Sequence, residues 1–228
     1  MSAWLEKLYE TFIASGGYRY ILEGFKNTIV ITMGALVIGV LIGAAIAITK
    51  YFADESPALK PLAIVCDVYT TVIRGVPITV LLLIFYLVIL VSASDLTVAI
   101  VAFGINSGAY MAELIRSGIN AVDKGQMEAG RSLGMSRGQT MFKIILPQAV
   151  RYILPAIGNE FIALLKETSV AGYVAVEDLT KAGDITRNIT YDAVNPLLVV
   201  AVTYLTMVVL LTQLLKLLER RLAKSDKR

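Results

Sequence analysis

The sequence contains no histidine and a single cysteine, Cys66, in 228 residues. These shortages exclude intrachain disulfides, Ser-His-Asp and Cys-His triads, H-E-x-x-H zinc helices and Cys/His metal clusters. No Gly-Lys pair occurs anywhere, so the chain lacks a P-loop to cradle nucleotide phosphates, and nucleotide-driven work must come from another chain. Charge is scarce as well: Asp, Glu, Lys and Arg make up 17% of the residues, against roughly 25% in a soluble domain. What is abundant is apolar surface, at 57% of residues with a mean hydropathy of +0.71. An integral membrane protein is the expectation. The formal net charge of +3 gives no indication of nucleic acid. Residues 1–24 lack the basic-then-apolar order of a secretory signal and are read as mature chain. In and near this stretch, Trp4, Tyr9, Phe12, Tyr18 and Tyr20 form an interfacial anchor.

A helix needs roughly 20 apolar residues to cross a bilayer core of about 30 Å. Five segments are candidates: 28–48, 62–91, 96–115, 150–176 and 194–218, together forming one domain over 1–228. The first is uncharged and carries Gly39 and Gly43, a spacing suited to close helix packing that Gly104 and Gly108 repeat in the third. The second contains Asp67, Arg74, Gly75 and Pro77, which predict a single bent helix. Lys and Arg gather in 116–151 and 216–228, which places both on the cytoplasmic side. Segments 92–95 and 177–192 are poor in them and are expected outside. Five spans with a cytoplasmic C-terminus put the N-terminus outside.

The long cytoplasmic segment is too regular for a passive connection. Residues 125–133 read as a short helix ended by Gly134, and Ser136 with Gln139 forms an S-x-x-Q capping box that opens a second helix stopped by Pro147. Met141, Phe142, Ile144 and Ile145 beside Arg137 and Lys143 give an apolar patch with basic flanks, a pattern that also fits a helix lying on the membrane surface. Glu128-Ala129-Gly130, then Gly134, then Ile144-Ile145-Leu146-Pro147 resembles the EAA loop of ABC importer permease subunits. The third residue of that motif is usually alanine, and Gly130 loosens the helix slightly. Four further segments resemble the polar amino acid permeases of the histidine- and glutamine-permease type: 71–77, 106–113, 124–126 and 158–169. Val76 and Glu167 stand where Thr and Asp are more usual.

The resemblance implies an all-α integral membrane protein with five transmembrane helices and the type I ABC importer permease fold, in a bacterial plasma membrane. It implies coupling to an ATPase through Glu128, Ala129, Gly130, Gly134, Ile144, Leu146 and Pro147. The implied partners are two ATPase subunits, a second permease subunit in a homodimer or in a pair of similar permeases, an external solute-binding protein and membrane lipid. ATP and Mg would sit on the ATPase, with no cofactor or metal bound by this chain and no catalytic residue in it.

Charged residues in a membrane are costly unless paired or wetted, so aligned ones mark candidate sites. At about 100° per residue, Asp67, Thr70, Thr71 and Arg74 fall within an arc of roughly 100°, and Asn159, Glu160, Lys166 and Glu167 within roughly 120°. Asn106, Tyr110 and Glu113 span an arc of roughly 60° on the third segment. Pairing of Asp67 with Arg74 and of Lys166 with Glu160 or Glu167 would make these stripes structural. As a site, the second and fourth segments carry one more negative than positive charge, which favours a cationic amino acid over a neutral one. Arg74 would hold the substrate carboxylate, Glu160 and Glu167 its amino group and side chain, and Asn159 and Thr71 would orient it, with Asp67 and Thr70 on the same wall. Glutamine or another polar amino acid is the alternative substrate. A gradient-driven transporter with Glu160 and Glu167 as proton relays is the competing mechanism, and an intramembrane enzyme is the more distant one.

Overall fold

The computed structural model describes residues 3–53 and 56–225, and the expected cations Lys227 and Arg228 lie outside them. All regular elements among the described residues are helical. Helix α1 (Ala3–Tyr9) runs into a π-helical turn, and the chain then reverses at Gly16, whose φ of +75° favours glycine. Helix α2 (Gly17–Ala53) is longer than the expected 28–48 at both ends. Helix α5 (Asp95–Asn120) opens on Ser94, whose hydroxyl accepts the backbone N–H of Thr97. These two helices form the central pair. Gly39 meets Ser107 and Gly108 of α5, while Gly104 and Gly108 meet Ile38 and Ile42 of α2. A Cβ on Gly39 would fall 2.7 Å from Ser107 Oγ, and one on Gly108 equally close to Ile42 Cγ2. The two glycine pairs therefore serve one seam, as their spacing predicts.

The second expected span departs from a single bent helix. Helix α3 (Lys60–Gly75) and helix α4 (Ile78–Ile84, continued by a π-helical turn to Ile89) meet at 109°, across extended backbone at Val76 and Pro77. Pro77 supplies no N–H and forces the residue before it out of the helical region. The apolar run of α4 then has somewhere better to go than lipid. Leu81, Leu82 and Phe85 are buried against Ile31, Val98, Ala102, Phe103 and Leu164, the main core of the molecule.

Helix α6 (Gly125–Ser132) ends at Gly134, which has a φ of +81°, and α7 (Arg137–Thr140) opens with the complete Ser136/Gln139 capping box. Pro147 does not stop the second helix. A π-helical turn over Met141–Ile145 carries α7 into α8 (Leu146–Glu167), with Pro147 in the first turn of α8 where its missing N–H is tolerated. Helix α8 is followed by a 3-10 segment, Thr168–Val174, and together they cover the fourth expected span. Helix α9 (Leu179–Thr190) lies where only a loop was expected, and α10 (Asn195–Ser225) closes the fold against α8 and α9.

Helices α2, α5 and α10 are long and apolar enough to cross a membrane, and α3 with α4 adds a fourth crossing if the bent pair is one span. Helix α8 has 22 residues, about 33 Å at 1.5 Å per residue, yet its polar stripe keeps it out of that set. The five expected spans thus correspond to three plainly apolar helices, one sharply bent pair and one polar helix. Exposed Leu62, Val65, Val68 and Val72 on α3 and Val202, Leu205, Val209 and Leu214 on α10 present apolar faces at the periphery.

Candidate functional site

Helix α3 carries an apolar face and a polar one. The polar face holds Thr70, which is buried, and Asp67, Thr71 and Arg74, which are exposed, and these residues line one open cavity of about 620 Å³ with Lys50 of α2, Gly75, and Glu113 and Arg116 of α5. The sequence stripe on α3 is thus brought together as expected. Thr70 is buried, its hydroxyl donating to the carbonyl of Asp67, which removes a polar group from the helix surface. Tyr69 donates to the carbonyl of Ile105 at 2.6 Å and fixes the spacing of α3 from α5. A second cavity of about 760 Å³ adjoins the first through Lys50, Asp67 and Arg116 and is lined further by Tyr51, Lys60 and Asn120. The two form one polar cleft between α2, α3 and α5.

Charges in the cleft pair differently from expectation. Asp67 bonds Lys50 rather than Arg74. The Lys50 ammonium also lies 4.0 Å from Glu113, which in turn pairs with Arg116 at 2.7 Å. Arg74 lies 5.2 Å from the centroid of the Tyr110 ring, a cation-π contact that holds the guanidinium at the cleft wall. With Lys60 of the adjoining cavity, four cations therefore face two carboxylates. Lys50 and Arg116 escaped the sequence reading because each flanks an apolar run and looked like a boundary marker. Tyr110 and Glu113 stood on the polar stripe of α5 and were legible there.

The residues of α8 form a separate group. Asn159, Glu160 and Glu167 do not line the α3–α5 cleft. Asn159 donates back to the carbonyl of Pro155 on its own helix. Glu160 and Glu167 are half-buried, and neither makes an ion pair among the described residues. Lys166 points elsewhere: it is exposed and lines a pocket with Ser169, Thr180 and Tyr204 against α10. On α5, which packs against α8, the fully buried hydroxyl of Ser107 closes no hydrogen bond among the described residues. Ser107 lies one helical turn from Tyr110, the ring that holds Arg74.

The α6–α7 loop exposes Glu128, Ala129, Leu133 and Gly134 and half-buries Ile144 and Leu146. Gly130 is buried because α6 crosses α7 there: a Cβ would fall 2.5 Å from Thr140 Cγ2. At the opposite end, Asp178 caps α9 through the N–H groups of Thr180 and Lys181, and burial pushes its carboxyl up from the ordinary range. Asp192 accepts from Thr11, Val194 and Asn195. Burial alone would raise its pKa, but these bonds outweigh that and hold it below the usual carboxylate range.

A bundle of apolar helices around a charged cleft, with a helix-glycine-helix loop at one end, defines a membrane transport protein. Residues 39–224 match the family of binding-protein-dependent transport system inner membrane components, and the chain belongs to that family. The chain is 35% identical over 211 residues to the arginine transport system permease protein ArtQ of Bacillus subtilis, covering 91% of this chain and 94% of that one. It is equally similar over 210 residues to a putative glutamine transport system permease protein, GlnP of Rickettsia bellii, covering 90% and 94%. Among solved structures, an amino acid ABC transporter crystallised with histidines matches with a TM-score of 0.85 and 41% identity, over 92% of this chain and 98% of that one. The inward-facing MetNI methionine transporter shares the fold, with a TM-score of 0.76 at 22% identity over 89% and 96%. These matches agree with the expected type I permease architecture.

Proposed function

We propose that this chain is the membrane subunit of an ATP-driven importer of polar amino acids, with arginine, lysine or histidine ahead of glutamine. One observation carries the substrate class: a single polar cleft between α2, α3 and α5 offers the guanidinium of Arg74 and the carboxylates of Asp67 and Glu113. A free amino acid is a zwitterion and needs both signs of charge within a few ångströms. Arg74 takes the carboxylate in a two-pronged bond, and Thr71 beside it supplies a hydroxyl. Asp67 and Glu113 receive ammonium or guanidinium groups, and Glu160 and Glu167 on α8 offer a second acidic wall along the path. The relatives named for arginine and for glutamine support a polar amino acid and leave the side chain to these residues.

Drive comes from outside the chain. Exposed Glu128, Ala129 and Leu133 on the α6–α7 loop dock on an ATPase subunit that holds ATP and Mg, and two copies of the permease work with two ATPases. An external binding protein delivers the substrate at the α9 end, which puts the C-terminus of α10 in the cytoplasm. Reconstitution with the cognate ATPase in liposomes tests this, reading ATP hydrolysis and uptake against a panel of amino acids. Uptake of arginine, lysine or histidine that requires ATP is expected, with Glu167→Gln weakening the response. Uptake that follows a proton gradient without ATP would overturn the mechanism, and a response to glutamine alone would overturn the basic preference.

A further inference from the structure

The least exposed cation among the ion pairs of the cleft belongs to the protein itself. Lys50 reaches in from near the C-terminal end of α2, only 23% exposed, and its ammonium bridges Asp67 on α3 and Glu113 on α5. Asp67 is 58% exposed on its side chain, and Glu113 is shared with Arg116 at its other oxygen. The groups facing this point from the packed elements are Lys50 on α2, Lys60, Asp67 and Arg74 on α3, and Glu113 and Arg116 on α5. A lysine side chain ends in the same group as free lysine, a primary ammonium on a four-carbon stem.

We infer that Lys50 is a built-in competitor for basic substrates, its ammonium filling the subsite of Asp67 and Glu113 until a cationic side chain displaces it. This rests on the cleft between α3 and α5 being the substrate path. With Lys50 in place the cleft already holds four cations against two carboxylates, so a further one is accepted only when Lys50 withdraws. Withdrawal frees α3 from α2 at its one ion pair among the described residues, leaving the Tyr69 bond to Ile105 and the Arg74 contact with Tyr110 as ties to α5. In sequence, α3 follows the 3-10 turn Pro57–Leu59 and precedes the extended Val76–Pro77 link, and Cys66 and Tyr69 pack it against Ile42, Ile46 and Ala112. Entry of a basic side chain therefore opens the ion pair of α3 to α2 and leaves this packing in place, whereas a neutral amino acid leaves the bridge closed.

The test is direct binding to the full chain in nanodiscs, titrating L-arginine, L-lysine and L-glutamine by calorimetry, with Lys50→Met beside wild type. If the bridge is closed about nine-tenths of the time, its removal tightens apparent binding of the basic amino acids about tenfold and leaves glutamine unchanged. Lys50→Arg, which keeps the charge, should retain wild-type affinities and shows that the site still folds. Asp67→Asn should weaken the basic amino acids more than glutamine. Equal shifts for all three ligands, or none, would overturn the competitor role. Absence of any binding would overturn it too, and whether the import reading survives is then read separately from ATP-dependent uptake in liposomes.

Discussion

Arg74 faces a choice that the paired cations of the cleft do not. Lys50 and Arg116 have carboxylate partners, whereas Arg74 has the ring of Tyr110. A cation-π contact costs less to leave than a charged hydrogen bond, so Arg74 is the guanidinium most ready for an incoming carboxylate. Arg74→Gln should weaken amino acid binding by about ten- to a hundredfold, the worth of a charge-assisted bond, for basic and neutral ligands alike, because all share the α-carboxylate. Arg74→Lys should recover only part of this, since a lysine is a point charge without the planar fork. Calorimetry on the chain in nanodiscs checks both, and a loss confined to arginine would contradict the assignment. The contrast with Lys50 is useful, since one residue reads what all amino acids share and the other reads the side chain.

The α6–α7 element shows how a small residue sets a docking surface. Gly130 costs its helix about 1 kcal/mol relative to alanine, yet an alanine Cβ would press on Thr140, a buried β-branched side chain whose hydroxyl is tied to the carbonyl of Ser136 at 3.0 Å. Gly130→Ala should therefore displace α6 from α7 and reduce ATP-coupled uptake while leaving amino acid binding intact. Thr140→Ala in the same chain removes the colliding atoms and should restore coupling. Uptake unchanged in the single variant would mean that the crossing yields without consequence. Much of this element was legible: the capping box, the glycine stop and the helix between them follow from Ser136, Gln139 and Gly134. The glycine crossing was not, because it depends on what lies opposite Gly130. Pro147 misled for a related reason, since a π-helical turn lets the chain pass a proline that propensity alone would treat as a terminus. Helix α9 could have been found, as Asp178 stands before Leu179, Ala182, Gly183 and Thr186 at helical spacing and these are the residues that bury. The 109° turn of α3 into α4 was visible as a break at Pro77, but its size is set by the core that receives Leu81, Leu82 and Phe85.

On the scale of the whole molecule, the α3 stripe marks one polar face, Lys166 leaves the α8 stripe, and neither stripe says which faces meet. Asp67 and Arg74 share a stripe and still choose partners on other helices, and the α8 carboxylates lie outside the cleft that the α3 stripe lines. Pairing across helices is a property of packing: the second and fourth segments carry one excess negative charge, whereas the cleft built from α2, α3 and α5 carries two excess positive ones.

The same holds at the α9 end, where the first residues are fastened to the last helix. Trp4 donates its indole N–H to Asn195 at 3.0 Å, Thr11 donates to Asp192 at 2.9 Å, and Lys7 lies 3.8 Å from the same carboxylate. Asp192 also accepts the N–H groups of Val194 and Asn195 at the start of α10, where a negative charge suits the helix dipole. Its pKa is lowered in the folded chain, so the fastening is fully present above the unfolded carboxylate value of about 3.9 and is lost as pH falls through the lower folded value. Near neutral pH it contributes no pH dependence. Trp4 is the sole tryptophan of the chain and reports the fastening directly. Its emission should stay constant from pH 8 to about pH 4 and shift to the red below that, with helical circular dichroism unchanged. Asp192→Asn keeps an acceptor but loses the charge, so its emission should be red-shifted at neutral pH and flat through the acid range. A wild-type transition centred near pH 6, or an acid shift that survives in Asp192→Asn, would assign the fastening to another group.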